Sequence, residues 1–365
     1  MEKNIFSGRI SLIFLFITLI SIIGCSGSSG TSDSVENIRV GTEGLSVSFL
    51  ANNPPDTVHA EENGANAFDV IMDIRNNGAF PQPEEISGIG GPVGNVYLSG
   101  YDSNIISITP KDSSGVSGNG IDLSRLPLDG KSTINPNGGQ DILSFQGKII
   151  DYKKLLVERY EPVLLATACY HYETTASTSV CIDPDPYSVV KQKKVCQASD
   201  ASLTSQGAPI AVVKIAEEAF ATKTTFKITV KNVGSGEVLI RESINKCDPY
   251  TTRVNLDNSG SVKIQREDLD KVLVESVKVS ETLLNCGPYI DNSGAVKRTD
   301  GGLMRLLNGE GFIICELPSG SYAKTNSAYT TPLVVKLKYG YRTTTERKLL
   351  IKREMPSGTS TQVTV

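Results

Sequence analysis

Short apolar runs with a period of two, each closed by Gly, Pro, Asn or Asp, constrain this chain more than any other feature. Leu45, Val47 and Phe49 alternate with small or polar partners, as do Val70, Met72 and Ile74, and later Phe226, Ile228 and Val230. Alternation at period two places one set of side chains on one face of a sheet. Asn52-Asn53-Pro54-Pro55, Asn76-Asn77-Gly78 and Asn135-Pro136-Asn137-Gly138-Gly139 supply turns between such runs. With 33 Gly and 17 Pro in 365 residues, long helices have little room. Only Arg266 to Leu273 and Leu303 to Leu307 read as short helical turns. Many short strands with regular turns predict an all-β chain of antiparallel sandwiches.

One unit occurs twice. Val70-x-Met72-x-Ile74-x-Asn76-x-Gly78 matches Phe226-x-Ile228-x-Val230-x-Asn232-x-Gly234, each after a Gly-led apolar strand, Gly44 to Phe49 and Gly207 to Val213. The reading is two copies of one sandwich plan, with Asn and Gly accepting a left-handed turn after the strand. The strand–turn around Asn76 and Gly78, and again around Asn232 and Gly234, resembles the immunoglobulin-like sandwiches of cell-adhesion-type modules in bacterial and archaeal surface proteins. It is also similar to uncharacterised exported two-domain archaeal proteins. The resemblance implies two tandem antiparallel immunoglobulin-like β-sandwiches and no catalytic residue. The expected division is domain one over 36–190, a polar linker over 191–206, domain two over 207–355 and a fraying Ser/Thr-rich tail over 356–365.

The N-terminus carries an address. Lys3 and Arg9 precede a 14-residue apolar run, Ile10 to Ile23, that ends in Ile22-Ile23-Gly24-Cys25. The run is short for a membrane span of about 20 residues and fits a secretory signal. It resembles a lipoprotein signal peptide over 1–24. That resemblance implies a lipid on the Cys25 thiol, with Cys25 as the first residue of the mature chain. Residues 25–35, rich in Gly and Ser, read as a flexible tether. Loss of Glu2, Lys3 and Arg9 leaves the mature chain one charge more negative than the −4 of the whole.

Six cysteines remain, Cys169, Cys181, Cys196, Cys247, Cys286 and Cys315. An even number in an exported chain suggests disulfides. Three lie before residue 200 and three after 240, so full pairing needs one bridge across the expected domain boundary. Cys169 and Cys181 flank Thr175 symmetrically in a stretch read as strand–turn–strand. They could face each other across a hairpin, or one could reach Cys196.

Little else points to chemistry. A net charge of −4 argues against nucleic acid. Two His, His59 and His171, leave little scope for acid–base or zinc chemistry, and His171, between Tyr170 and Tyr172, reads as a sheet-face residue. Asp129-Gly130-Lys131-Ser132-Thr133 resembles the end of a phosphate-binding loop but lacks the leading Gly and the strand–helix frame. Asp183 and Asp185, two apart beside Cys181, offer the oxygen ligands calcium takes. With no ring of further ligands identifiable, a solvated, proline-stiffened loop is the preferred reading. Asp257-Asn258-Ser259-Gly260 and Asp291-Asn292-Ser293-Gly294 read as hairpin turns. The tyrosines from Tyr170 onward read as strand-face packing. No cofactor is expected.

These features lead to a non-catalytic lipoprotein on the extracytoplasmic face of the membrane. It would be held there through the lipid on Cys25, with a structural or adhesive role toward a protein or surface polymer. The alternatives are an accessory subunit of an envelope machine, such as a pilus or secretion complex, and an envelope hydrolase.

Overall fold

A computed structural model describes residues 38–61, 66–82, 91–111, 116–117, 120–150, 155, 157–188, 194–250, 263–290, 296–299, 301–318, 320 and 327–354. The chain parts into residues 1–36, which lie outside the described residues, and one compact unit, Asn37–Val365. The signal segment, Cys25, the 25–35 tether and the 356–365 tail therefore lie outside the described residues.

The all-β expectation is met: strands make up 57% and helix 5%, in several antiparallel sheets, none closed. Twelve described strands have five residues or more. In chain order the first six are β1 Leu45–Phe49, β2 Ala67–Asn76, β3 Gly94–Ser99, β4 Ile106–Pro110, β5 Gln140–Ile149 and β6 Val163–Ile182. The second six are β7 Ile210–Phe220, β8 Lys223–Asn232, β9 Lys271–Val279, β10 Asn285–Ile290, β11 Glu310–Pro318 and β12 Tyr329–Lys348. The first lobe has a sheet in the order β1-β2-β5-β4, and the second repeats it as β7-β8-β11-β10. In the facing layer β3 pairs β6 and β9 pairs β12. This is the A-B-E-D and C-F arrangement of an immunoglobulin-type sandwich, built twice. The register repeats as well, with Leu45 opposite Asn76 and Ile210 opposite Asn232.

The two lobes also share strands. β6 and β12 pair antiparallel along all twenty residues, from Val163–Lys348 to Ile182–Tyr329. Only one half of each serves its own lobe. β6 meets β3 over Leu165–Tyr170, and β12 meets β9 over Leu333–Lys338. The other half of each extends into the neighbouring lobe beside the partner strand, where an immunoglobulin-type sandwich has its G strand. Each lobe thus completes its second layer with a strand from the other. The end of the expected linker packs on the body. Ala201–Ser202 pairs with β7, and the Gln206 side chain bonds Val212 in both directions, at 2.9 and 3.1 Å. The two helical expectations shrink to a 3-10 turn at Arg266–Asp268, while Leu303 lies in a strand, Gly302–Arg305.

The meeting point is a square of buried tyrosines. Tyr170 pairs with Tyr341 and Tyr172 with Tyr339, and neighbouring ring centroids lie 5.7 to 6.4 Å apart. Burial pushes all four phenols up, so each stays a neutral hydroxyl that can donate and accept. The duplicated motif supplies the partners. Asn76 Oδ1 accepts from the Gly78 amide (3.1 Å) and from the Tyr172 hydroxyl (3.3 Å), and Asn76 Nδ2 donates to Phe80 O (2.8 Å). The Phe80 amide donates back to Tyr172 (3.2 Å). Asn232 repeats this with Gly234 (3.2 Å), Tyr341 (3.2 Å) and Gly236 O (2.9 Å), and the Gly236 amide returns to Tyr341 (2.7 Å).

Neither Gly78 nor Gly234 has a positive φ, contrary to the left-handed turn expected from sequence. Glycine is required there for room. A Cβ would stand 1.9 Å from the Tyr172 hydroxyl at Gly78 and 2.4 Å from the Tyr341 hydroxyl at Gly234.

Asn76→Ala strands the Gly78 amide and the Phe80 and Leu128 carbonyls, and is expected to cost about 2–4 kcal/mol. Asn232→Ala should act in the same direction. Because the lobes share β6 and β12, probes in either lobe should report one common urea transition, shifted down in each variant. Two separate transitions would show independent lobes.

Candidate functional site

The shared sheet has one face toward the tyrosine core and another turned outward. Cys169, at a position where β6 faces outward, is nonetheless buried. The described part of the segment between β8 and β9, residues 233–250 and 263–270, folds back across it. Glu237–Leu239 pairs with β12 at Gly340–Arg342, and a 3-10 helix, Arg241–Lys246, crosses above Gly340. A Cβ on Gly340 would approach Ile244 Cγ2 to 2.7 Å, so the crossing depends on that glycine. A second small core forms here from Tyr97, Cys169, Leu239 and Cys247, with Ile264 and Leu269 against it.

Cys169 bonds Cys247, a bridge across the sequence boundary expected between the halves. Cys181 bonds Cys196, and Cys286 bonds Cys315. All six candidates are therefore paired. The hairpin option for Cys169 and Cys181 fails because Thr175 sits in the middle of an unbroken strand.

Polar contacts tie down the same segment. Asp268 accepts from Lys246 (2.8 Å), Ser243 (2.7 Å) and the Gln265 amide (2.8 Å). Burial acts to raise the Asp268 carboxyl, but these three donors outweigh it and hold the group below its usual range. His171 Nε2 meets Arg241 O at 2.8 Å, and Arg241 Nε donates to His171 Nδ1 at 3.4 Å. Burial, with the nearby guanidinium adding to it, keeps the imidazole below its ordinary pKa. The sheet-face reading of His171 is correct, and its ring acts as a brace for the overlying segment.

Beside the Cys169–Cys247 bridge lies an open groove of about 400 Å3, bordered by Thr167, Thr344, Arg342, Glu237, Lys246 and Ile264. Its floor carries a Thr167–Thr344 hydroxyl contact of 3.2 Å, and Arg342 Nε donates to Glu237 at 2.6 Å. A floor of hydroxyls with paired charges at the walls offers hydrogen bonds to an elongated polar ligand.

The other sequence candidates do not converge on it. Asp183 faces Lys194 at 2.5 Å, and its Oδ1 accepts the Asp185 amide at 3.1 Å. Lys194 also donates to Asp185 O at 2.7 Å. The two aspartates considered for calcium thus form a local turn with the Lys194 ammonium against their oxygens. Among the described residues no group of three or more His, Cys, Asp or Glu could hold a metal. In the Asp129–Thr133 loop the Gly130 and Lys131 amides donate to Pro81 O and Gly78 O, both at 2.7 Å, and no phosphate cradle is left. His59 pairs with Glu354. Asp257–Gly260 and Asp291–Gly294 lie outside the described residues, although the strands beside the latter pair antiparallel at Ile290–Val296.

No family model and no curated protein matches the chain. Among solved structures, the CupB6 tip adhesin of Pseudomonas aeruginosa is similar at 11% identity and TM-score 0.18, over 87% of this chain and all of that one (100%). The collagen binding domain of the Erysipelothrix rhusiopathiae surface protein RspB is similar at 11% identity and TM-score 0.12, over 86% of this chain and 90% of that one. The C-terminal domain of the Streptococcus pyogenes antigen I/II-family protein AspA is similar at 9% identity and TM-score 0.15, over 86% and 100%. At TM-scores this low nothing is carried over from them to this chain.

The Cys169–Cys247 bridge closes a long loop, at a sequence separation of 78, and is expected to contribute about 4 kcal/mol. In a Cys169→Ala/Cys247→Ala protein, hydrogen exchange should speed up over 237–250 while β2 stays protected. Unchanged exchange over 237–250 would mean that packing alone holds the segment.

Proposed function

We propose that this chain is an exported lipoprotein, anchored through a lipid on Cys25, whose folded body binds at the cell surface and catalyses no reaction. The observation that carries the reading is the state of the cysteines. All six after residue 25 are consumed in three bridges. Cys25 alone stands outside them, directly after Gly24 at the end of the apolar run. Disulfides of this number persist outside the reducing cytosol, and a thiol at the cleavage point of an apolar leader suits lipid attachment.

A binding role is favoured by how the reactive groups are used. Both histidines are engaged, His171 by Arg241 and His59 by Glu354. The partner is a protein or a surface polymer, met by the outer groove or by the loops at the lobe ends. The near-balanced charge gives no electrostatic reason for nucleic acid to be bound. The reciprocal use of β6 and β12 bears on the envelope-machine alternative. A body that fills its own G positions does not need a strand donated by a partner.

Metabolic labelling with a fatty acid tests the anchor. The wild-type chain should take up label and partition with membranes, and Cys25→Ala should lose both. Label retained in Cys25→Ala would end the reading. A stoichiometric partner copurified from those membranes would favour the machine subunit, and a hydrolytic activity lost in His171→Ala would favour an enzyme.

A further inference from the structure

A second cleft lies where β6 leaves the second lobe. The segment Asp183–Ser188 forms one wall, Lys194–Ala198 the next, and the end of β7 from Glu217 to Phe220 the third, enclosing about 680 Å3. The Cys181–Cys196 bridge ties the first two walls together. Their charges cancel, because Lys194 is spent on Asp183 at 2.5 Å and on Asp185 O at 2.7 Å.

The β7 wall is different. A bulge between Val212 and Lys214 resets the strand, and Ile215 and Glu217 then point inward. Glu217 is only 7% exposed. Its Oε2 accepts the Cys181 amide at 3.1 Å, and its Oε1 has no hydrogen-bond partner. Glu218 beside it has no ion-pair partner among the described residues. Two aromatic rings, Tyr187 at 67% and Phe220 at 37% exposure, stand at the same cleft.

We propose that this cleft binds the cationic side chain of a basic peptide segment, a lysine or arginine, with its charge toward Glu217 and Glu218 and its stem against Tyr187 and Phe220. Carboxylates without a counter-charge attract a cation, and aromatic faces add to that attraction while covering the apolar stem. The buried Glu217 carboxyl behind the cleft wall, with its Oε1 unpartnered, is the feature a purely structural wall lacks, since burying an unpaired acceptor disfavours the fold. The inference goes beyond the anchored-lipoprotein reading, and its failure would leave that reading intact.

The site is pH-dependent. Burial, offset in part by the Cys181 amide, pushes the Glu217 carboxyl up to about 7. Other charged groups on the elements around it are Asp183 and Lys194, the Asp200–Lys214 pair at 2.7 Å, Glu218, and the Lys223–Glu316 pair at 3.0 Å. A cation that needs the ionised carboxylate should therefore bind more tightly as pH rises. With the ionised fraction going from about one tenth at pH 6 to about nine tenths at pH 8, the gain is about tenfold.

The test uses the mature chain with its disulfides intact and a fluorescent Gly-Arg-Gly-Lys-Gly peptide, with Gly-Glu-Gly-Gln-Gly as control, followed by anisotropy. The basic peptide alone should bind, about tenfold tighter at pH 8 than at pH 6. The affinity should fall at least fivefold in Glu217→Gln and in Tyr187→Ala. Equal binding of both peptides, or undiminished binding in both variants, would overturn the proposal. So would binding that arises only after Lys191→Gln/Lys193→Gln, since the cleft would then belong to the chain's own lysines.

The fold of the Glu217→Gln variant has its own readout. A carboxyl raised from 4.5 to about 7 contributes fully below pH 4.5, and its contribution is lost as pH rises through about 7. Glu217→Gln should therefore raise the urea midpoint at pH 8, and a lowered midpoint would assign Glu217 a structural role in place of a binding one.

Discussion

The twenty-residue pairing of β6 with β12 is the constraint on which the rest of the molecule depends. A sandwich with A, B, E, D, C and F strands but no G strand leaves the outer edge of F unpaired, and an unpaired edge invites association. Here each F strand is long enough to cover the other's edge. The two exposed edges annul each other, and the product is one sheet in the order β3-β6-β12-β9 spanning both lobes. Neither lobe is complete without the other, and Asn37–Val365 behaves as one compact unit for that reason.

Such a pairing forces large side chains together where the two strands cross from one lobe to the other. Four tyrosines meet that need at a cost, because each brings a hydroxyl that must be satisfied away from water. The Asn-x-Gly turn is the solution in both lobes. Its asparagine accepts one tyrosine hydroxyl, and its glycine leaves room for the ring. The other two tyrosines use the first strands. Tyr170 accepts the Leu45 amide at 3.0 Å, and Tyr339 meets Thr174 Oγ1 at 2.9 Å, which itself bonds Ile210 O at 2.7 Å. Leu45 and Ile210 occupy the same position in the repeat.

The repeat was legible in the sequence because a strand period and an Asn-x-Gly turn are local. Both copies could be aligned from Val70 to Gly78 and from Phe226 to Gly234, though the reason for the glycine was not local and was misjudged. The pairing of β6 with β12 was not legible. Val163–Ile182 alternates as any half-buried strand does, and nothing within it states that its second half serves another lobe. That Thr175 marked a turn was a natural error, since a run of Thr, Ala and Ser has low apolar content and resembles a break. Cys169 could be counted but not paired, because its partner lies on a segment that folds back over the sheet. Glu217 left a signal that was missed, a carboxylate two residues after Ile215 on a strand whose inward positions are otherwise apolar.

The two lobes agree in strand order, register and tyrosine contacts, and they differ where chemistry can be placed. None of the three disulfides is duplicated. The position equivalent to Cys169 in the second lobe is Lys338, and the position equivalent to Cys315 in the first is Phe145. Two of the bridges tie described segments outside the repeated strands to β6, Cys247 at the end of the 3-10 helix Arg241–Lys246 to Cys169, and Cys196 to Cys181. Both candidate clefts are bordered by those segments. Duplication accounts for the scaffold, and both clefts lie beside segments outside the repeated strands. A segment fastened by a disulfide to a paired sheet strand can hold its groove with little ordering still to do on binding, the condition under which a modest interface becomes a selective one.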